Sequence, residues 1–439
     1  MRMRFNPSSS CSARTMRLVA LWSLLAVTGC QDDGSARVEV PVPTGERMSD
    51  REAVTAAIQA AGPGEVVEFG AGTYLIGSEA FLVGTPGIAL RGHPDGTTLV
   101  GCTEDERAAM PIEEYWERCN GFVLAGEAQR VTGLRFEGFS DALSIRHPSA
   151  VDLPERDVPY AGGQVIEGNV FQDVTSFSIR LDADSVVLVR DNVFRNTWHA
   201  LATGGRNIHF VDNDIAVPEP DRVSNGYPGG AIGIRPDRNG VCESIVVEGN
   251  RVEGHTEGVM IALFPQDAAG SSCSDIVVRN NEISMRPVHF PFADPRPGFE
   301  DAEDRGGKLA IAPAILVRNV QPLVGAGVLE WPAFWIPEGG WPAELADGRI
   351  HDITVEGNRI TGAVGIGIEL VDVEDVRVLD NEIEVRPAAT PAEIEGLRLG
   401  GNGGPGVWIE LGLLETVNGT AVWVSEGSEG VEIRYPGGR

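Results

Sequence analysis

One short arrangement of apolar and polar positions recurs along the chain. It reads apolar, two variable residues, Asn, one variable residue, apolar. It occurs as Ile166-Glu-Gly-Asn169-Val-Phe171, Val189-Arg-Asp-Asn192-Val-Phe194 and Phe210-Val-Asp-Asn213-Asp-Ile215. It returns as Val247-Glu-Gly-Asn250-Arg-Val252, Val278-Arg-Asn-Asn281-Glu-Ile283, Val355-Glu-Gly-Asn358-Arg-Ile360 and Val378-Leu-Asp-Asn381-Glu-Ile383. Seven copies constitute a repeat. Within a copy the apolar residues alternate, so that Val187 and Val189 point inward, Asn192 turns the chain and Phe194 points inward again. Helical periodicity is almost absent, and Gly is abundant, which predicts an all-β chain with many turns.

The spacing is 23 residues from Asn169 to Asn192, 21 from Asn192 to Asn213 and 23 from Asn358 to Asn381. That period fits one coil of a parallel β-helix, each coil supplying about three short strands. Asn suits the turn because it tolerates left-handed backbone and bonds its own backbone. Stacked every ~4.8 Å, the Asn side chains would form an amide ladder inside one corner. Another strand is expected about ten residues after each Asn: 177–181, 200–203, 231–234, 259–263, 366–370 and 407–411. Val131-Thr-Gly-Leu134-Arg-Phe136 fits the pattern with Leu134 in the Asn place.

The repeat is interrupted. The 77 residues from Asn281 to Asn358 hold an unmarked coil at 309–320 and two loops. One loop, 286–308, is Pro-rich and acidic; the other, 321–349, carries Trp331, Phe334, Trp335 and Trp341. Residues 386–405 form a further loop. Long loops on a compact repeat tend to carry function. Upstream, Ser49 or Asp50 looks like the N-cap of a short helix through Ala61, stopped by Gly62-Pro63-Gly64, that would cap the first coil.

Residues 1–29 read as a targeting segment: Arg14 and Arg17 precede an apolar run, 18–27, too short to span a bilayer. Val27-Thr28-Gly29-Cys30 resembles the lipobox of bacterial lipoproteins, which implies lipidation of Cys30. The expected organisation is a signal at 1–29, a flexible tether at 30–48 and the repeat domain at 49–439. The expected location is the bacterial cell envelope, with membrane contact only through the anchor. Cys102, Cys119, Cys242 and Cys273 remain, an even number suited to an oxidising compartment. Three pairings are open, and proximity favours Cys102–Cys119 and Cys242–Cys273.

Ala53-Val-x-Ala56-Ala57-Ile58 followed by Pro63-Gly-Glu-Val-Val-Glu-Phe-Gly-Ala-Gly-Thr-Tyr74 is a short helix and then a strand ending in a Gly-Thr-Tyr turn. With the repeat, it resembles the right-handed parallel β-helix, or pectin-lyase-like, superfamily over about residues 50–435. The resemblance implies a single-stranded right-handed solenoid with a short N-terminal capping helix and long loop insertions. It does not fix an activity, because the superfamily hosts many chemistries.

The formal net charge is −29, and −33 without the four arginines of residues 1–29. Such a chain repels nucleic acid and lacks the basic footprint that nucleic-acid binding needs. Against that acidity, aligning the second-strand segments on Ile145, Ile179, Leu201, Ile234, Ile261, Leu316, Ile368 and Ile409 places Arg146, Arg180, Ala202 and Arg235 in one outward column. A basic stripe on an acidic protein suits an anionic polysaccharide. The superfamily's uronate lyases imply Arg180 or Arg235 as base, His199 as proton donor, and Asp182 and Asp184 as Ca²⁺ ligands. Arg146, His147, Trp331, Trp335 and Trp341 would bind substrate. No cofactor is required, Ca²⁺ being the one ion this resemblance allows, and no zinc, P-loop or dinucleotide motif is present. Intact lyase or galacturonase signatures are absent. The function expected is therefore carbohydrate-directed, acting on or binding a glycan as a monomer, with uronate lysis, glycoside hydrolysis, non-catalytic binding or adhesion, and a structural surface role as alternatives.

Overall fold

A computed structural model of the chain describes residues 35–77, 79–110, 118–145, 162–183, 186–218, 230–237, 239–264, 267, 270–289, 309–321, 347–394 and 417–437. In a sheet of 21 and a sheet of ten strands, each strand pairs in parallel with the equivalent strand one coil away, and Val288–His289 pairs antiparallel with Leu309–Ala310. This is a parallel β-helix. The coils have three faces. The first includes Val187–Arg190, Val241–Glu248, Ser272–Arg279 and Arg349–Glu356. The second includes Val193–Arg195, Asp214–Ala216 and Arg251–Glu253. The third includes Phe177–Ala183, Gly230–Ile234, Glu257–Leu263, Ile315–Asn319, Ile366–Val371 and Thr420–Val424. The strand His199–Val211 runs from the third face onto the first. Ile315–Asn319 is the coil that the repeat left unmarked.

Alternation fills the core. Inward residues are fully buried, and Phe136, Phe171 and Phe194 stack at 5.0 and 4.9 Å between centroids. Between the first and second faces runs the amide ladder. Each Asn Nδ2 donates to the next Oδ1, from Asn169 to Asn192 (3.1 Å), Asn213, Asn250, Asn281, Asn358 and Asn381. Leu134 ends the ladder with its backbone N–H on Asn169 Oδ1, 3.0 Å. The left-handed residue is not the ladder Asn but the one before it: Gly168, Asp191, Asp212, Gly249, Asn280, Gly357 and Asp380 all have positive φ. The turn thus divides two demands. A residue that tolerates φ > 0 bends the chain, and the Asn after it satisfies buried carbonyls.

The N-terminal end departs from expectation. Arg37–Val40, inside the expected tether, is a strand paired with Val66–Phe69. The helix α1 spans Arg47–Ala60 with Glu46 at its N-cap, so it begins before Ser49. Asp50 is not the cap but a buried acceptor, taking Thr44 N (2.7 Å), Thr44 Oγ1 (2.8 Å) and Leu75 N (3.0 Å). It ties the helix to the first coil, while Val54, Ala57 and Ile58 cover the core. Both disulfides pair as proximity favoured, Cys102–Cys119 and Cys242–Cys273. The second joins register partners on adjacent coils, and two disulfides fit an exported protein. Among the described residues no helix is long and apolar enough to cross a membrane. Cys30 and residues 1–34 lie outside the described residues.

Candidate functional site

The third face carries the expected site residues that lie among the described residues. At its first corner a column of small residues faces in, including Ser178, Ala200, Ala231 and Gly258, because two consecutive residues turn inward there. A Cβ on Gly258 would meet Ile283 Cγ2 at 2.7 Å. That turn sets which side chains point outward beyond it.

The register corrects the expected arginine column. Ser144 pairs with Arg180, Arg180 with Ala202, Ala202 with Gly233, Gly233 with Met260, Met260 with Leu316, and Leu316 with Glu369. Arg235 therefore lies two positions along the strand from Arg180's column. Leu316, expected to face inward, faces outward in a separate cluster with Met260 and Ala262. The reason is that apolar residues flank both sides of these strands, so a slip of one or two residues keeps the hydrophobic pattern. Arg146, His147, Asp184, Trp331, Trp335 and Trp341 lie outside the described residues.

Of the expected site residues, Arg180, Asp182, His199 and Arg235 lie on this face. Arg235 is bound to Asp267 at 2.8 Å, and its guanidinium sits 4.5 Å from the Phe264 centroid. Arg180 has no carboxylate within ion-pair distance among the described residues; its Cζ lies 5.3 Å from the Phe177 centroid. Desolvation lowers the Arg180 pKa, Asp141 and Asp182 oppose that, and Arg235 adds to it. His199 lies on the coil between Arg180 and Arg235 and bonds Gly230 O through Nδ1. Burial of its ring pushes the pKa down to about 4, against the Gly230 bond and helped by His255. The imidazole is therefore neutral at pH 7, with the proton on Nδ1 facing the carbonyl.

Sequence reasoning missed the centre of the face. Gly230 pairs with Glu257, and a Cβ on Gly230 would stand 3.0 Å from Glu257 Oε2 and 3.8 Å from His199 Cε1. A larger residue there would press on the Glu257 carboxyl. Glu257 is 2% exposed, and its Oε2 has no hydrogen-bond partner among the described residues. Burial raises its pKa to about 7, Arg318 opposing and Glu369 reinforcing the rise. Arg318 Nη2 donates to Glu369 Oε2 at 2.7 Å. Burial also raises Glu369, and the charge and bond of Arg318 oppose it. The two carboxyls are thus made unequal: Glu369 holds the cation directly, and Glu257 feels it only at a distance. The signal was present in the sequence as single charges inside apolar strands, Glu257 in Glu-Gly-Val-Met-Ile-Ala-Leu and Arg318 in Ile-Leu-Val-Arg-Asn. Among the described residues no group of three His, Cys, Asp or Glu could hold a metal ion.

No protein-family model matches the chain. No curated protein matches it. Among solved structures it is similar to a mutant tailspike protein of E. coli bacteriophage HK620 in complex with a pentasaccharide, with TM-score 0.45 and 15% identity over 82% of this chain and 56% of that one. It therefore spans a little over half the tailspike's length. It is also similar to the PL6 family alginate lyase AlyGC, with TM-score 0.40 and 17% identity over 81% and 41% of the two chains. A third is the catalytic unit of a GH87 alpha-1,3-glucanase from Streptomyces thermodiastaticus, with TM-score 0.39 and 15% identity over 92% and 70%.

Proposed function

We propose that this protein is an exported glycan-directed β-helix protein that cleaves glycosidic bonds on its third face, with Glu257 as the proton donor. The observation that supports this is a buried carboxyl with a pKa of about 7, on the outward side of a strand, beside a glycine and a neutral imidazole. Glycoside cleavage needs an acid that is still protonated near neutral pH and a second carboxylate of different state. Glu257 fits the first role. Glu369, buried and held by Arg318, keeps the second carboxyl in a different state behind it. His199 orders the site by fixing Gly230 and packing near the Glu257 carboxyl.

The test is hydrolysis of glycans by the wild type and by Glu257→Gln. The amide keeps the shape and removes the proton. The expected loss is about 10²–10⁴-fold in kcat with binding retained. Undiminished cleavage by the Gln variant would sink this assignment.

One observation favours β-elimination of a uronate polymer as a second reading: desolvation lowers the Arg180 pKa, as an arginine base requires. In that reading Asp182 with Asp184 would hold Ca²⁺. Products absorbing in the ultraviolet would mark elimination; new reducing ends without that absorbance would mark hydrolysis. Binding with no product of either kind would mark an adhesin. The envelope location carries its own test, since Cys30→Ala should abolish incorporation of labelled fatty acid.

A further inference from the structure

Three rings gather where the third face begins. Phe177 stacks with His199 at 5.2 Å between centroids and 16° between planes, and with Trp198 at 6.1 Å and 27°. Trp198 and His199 are 4.8 Å apart. All three residues are half-buried, so they are neither core nor free surface. Arg180 is exposed beside them, 5.3 Å from the Phe177 centroid. Asp141 accepts from Phe177 N at 3.3 Å, and both Asp141 and Asp182 act electrostatically on Arg180. The core already has its aromatic ladder elsewhere, through Phe136, Phe171 and Phe194.

We propose that this group is a subsite for a neutral sugar ring, whose apolar face lies on Phe177 and Trp198 and whose hydroxyls bridge Arg180 to Asp141 and Asp182. The proposal rests on the glycan reading of this face and names its substrate class. Aromatic faces suit the C–H face of a pyranose. A sugar hydroxyl both donates and accepts; guanidinium only donates and carboxylate only accepts. One cation flanked by two anions therefore complements neighbouring hydroxyls. A sugar carboxylate would meet the same cation and two like charges. The other arginines of the face offer little compensation, because Arg235 is bound to Asp267 and Arg318 to Glu369. The net charge of −29 opposes a polyanion at longer range.

Position follows from the register. Phe177 pairs with His199, His199 lies beside Gly230, and Gly230 pairs with Glu257. Phe177 therefore stands three coils from Glu257 along the backbone, about 14 Å at the usual strand spacing, while Trp198 stands two coils away and the Glu257 carboxyl leans back over Gly230 toward His199. A glycan of a few sugars therefore reaches from the Glu257 carboxyl to this contact.

The experiment is calorimetric titration of the full mature chain with neutral hexasaccharides (laminarihexaose, maltohexaose, cellohexaose) and with hexamers of galacturonate and mannuronate. At least one neutral hexamer should bind, with weak salt dependence, and more tightly than either acidic one. Phe177→Ala and Arg180→Gln should each weaken that binding about tenfold or more, and Phe177→Tyr should restore it. Thermal melts of each variant separate lost binding from lost folding. Tightest binding to a uronate hexamer, with a steep salt dependence, would overturn the proposal. So would neutral binding indifferent to both Phe177→Ala and Arg180→Gln, or no binding by any hexamer at millimolar concentration. If Glu257→Gln still cleaves but the subsite variants lose binding, the cleavage assignment fails and the subsite stands.

Discussion

Arg318 reaches Glu369 at 2.7 Å across adjacent coils, and Glu369 is wholly buried. Each of two largely apolar strands, Ile315–Asn319 and Ile366–Val371, gives up one position to form this pair. Breaking a buried pair by removing the cation leaves a stranded carboxylate. Arg318→Met should therefore cost about 3–5 kcal/mol at pH 8 in urea denaturation. The loss should shrink at pH 5, where Glu369 can meet the missing cation by taking up a proton. Arg318→Met with Glu369→Gln should recover much of it. Equal losses at both pH values would show that the pair does not act through charge.

Glu257 and His199 oppose each other in the pH dependence of stability. The Glu257 pKa is raised to about 7, so the native state holds its proton where the unfolded chain has lost it. Its contribution is complete below the unfolded value and disappears as pH rises through about 7. The His199 pKa is lowered to about 4, so the native state refuses a proton that the unfolded chain accepts. That penalty applies at acid pH and disappears as pH rises through the unfolded value. Each effect is of order 3 kcal/mol. Wild type should thus be nearly flat across mildly acid pH, whereas Glu257→Gln should gain stability relative to wild type from pH 5 to pH 8. Parallel curves would remove Glu257 from the raised-pKa role. Cleavage should also fall as pH rises through about 7, where Glu257 loses its proton.

Cys242 and Cys273 link register partners on neighbouring coils, closing a separation of 31 residues. Cys102 and Cys119 close 17 residues outside that ladder. Replacing Cys242 and Cys273 together by Ser should cost about 2–4 kcal/mol, seen as a lowered Tm. Replacing Cys102 and Cys119 should cost less and loosen the excursion that carries the helix Glu104–Ala109. A larger loss from the second pair would reverse this order.

The fold was legible because its periodicity is redundant. Seven Asn residues mark one corner, and a misreading at any one of them would leave six. The site was less legible for the opposite reason. Each of its residues occurs once, and placing it needs the register of a strand that is apolar on both sides. That Arg180 and His199 stand on neighbouring coils follows from the coil period alone. Arg235 was put in the wrong column because Ile232 and Ile234 are equally good core residues, and the choice between them moves Arg235 by two positions. Glu257 went unnoticed among many acids. Its distinction is the apolar strand around it and the glycine opposite, and only the register shows that glycine.

The division of work at the Asn corner gives the last prediction. Gly168 sits at φ +64, and a Cβ there would meet nothing within 4 Å. Its only demand is left-handed backbone, which Asn280 and Asp191 meet at equivalent turns with φ 54 and 55. Gly168→Asn should therefore change stability by less than about 0.5 kcal/mol, and Gly168→Ala should cost about 1 kcal/mol. Asn192, two positions before Phe194, has a different task. Its Nδ2 serves Ile166 O at 3.0 Å, Arg190 O at 2.9 Å and Asn213 Oδ1 at 3.0 Å, while its Oδ1 accepts from Asn169 N at 3.0 Å. Asn192→Ala leaves those buried groups unmatched and should cost about 2–4 kcal/mol in urea denaturation. Asn192→Asp should be at least as damaging, because the carboxylate repels the two carbonyls that the amide served. If Asn192→Ala were as mild as Gly168→Asn, the corner would be held by the backbone alone and the amide ladder would be incidental.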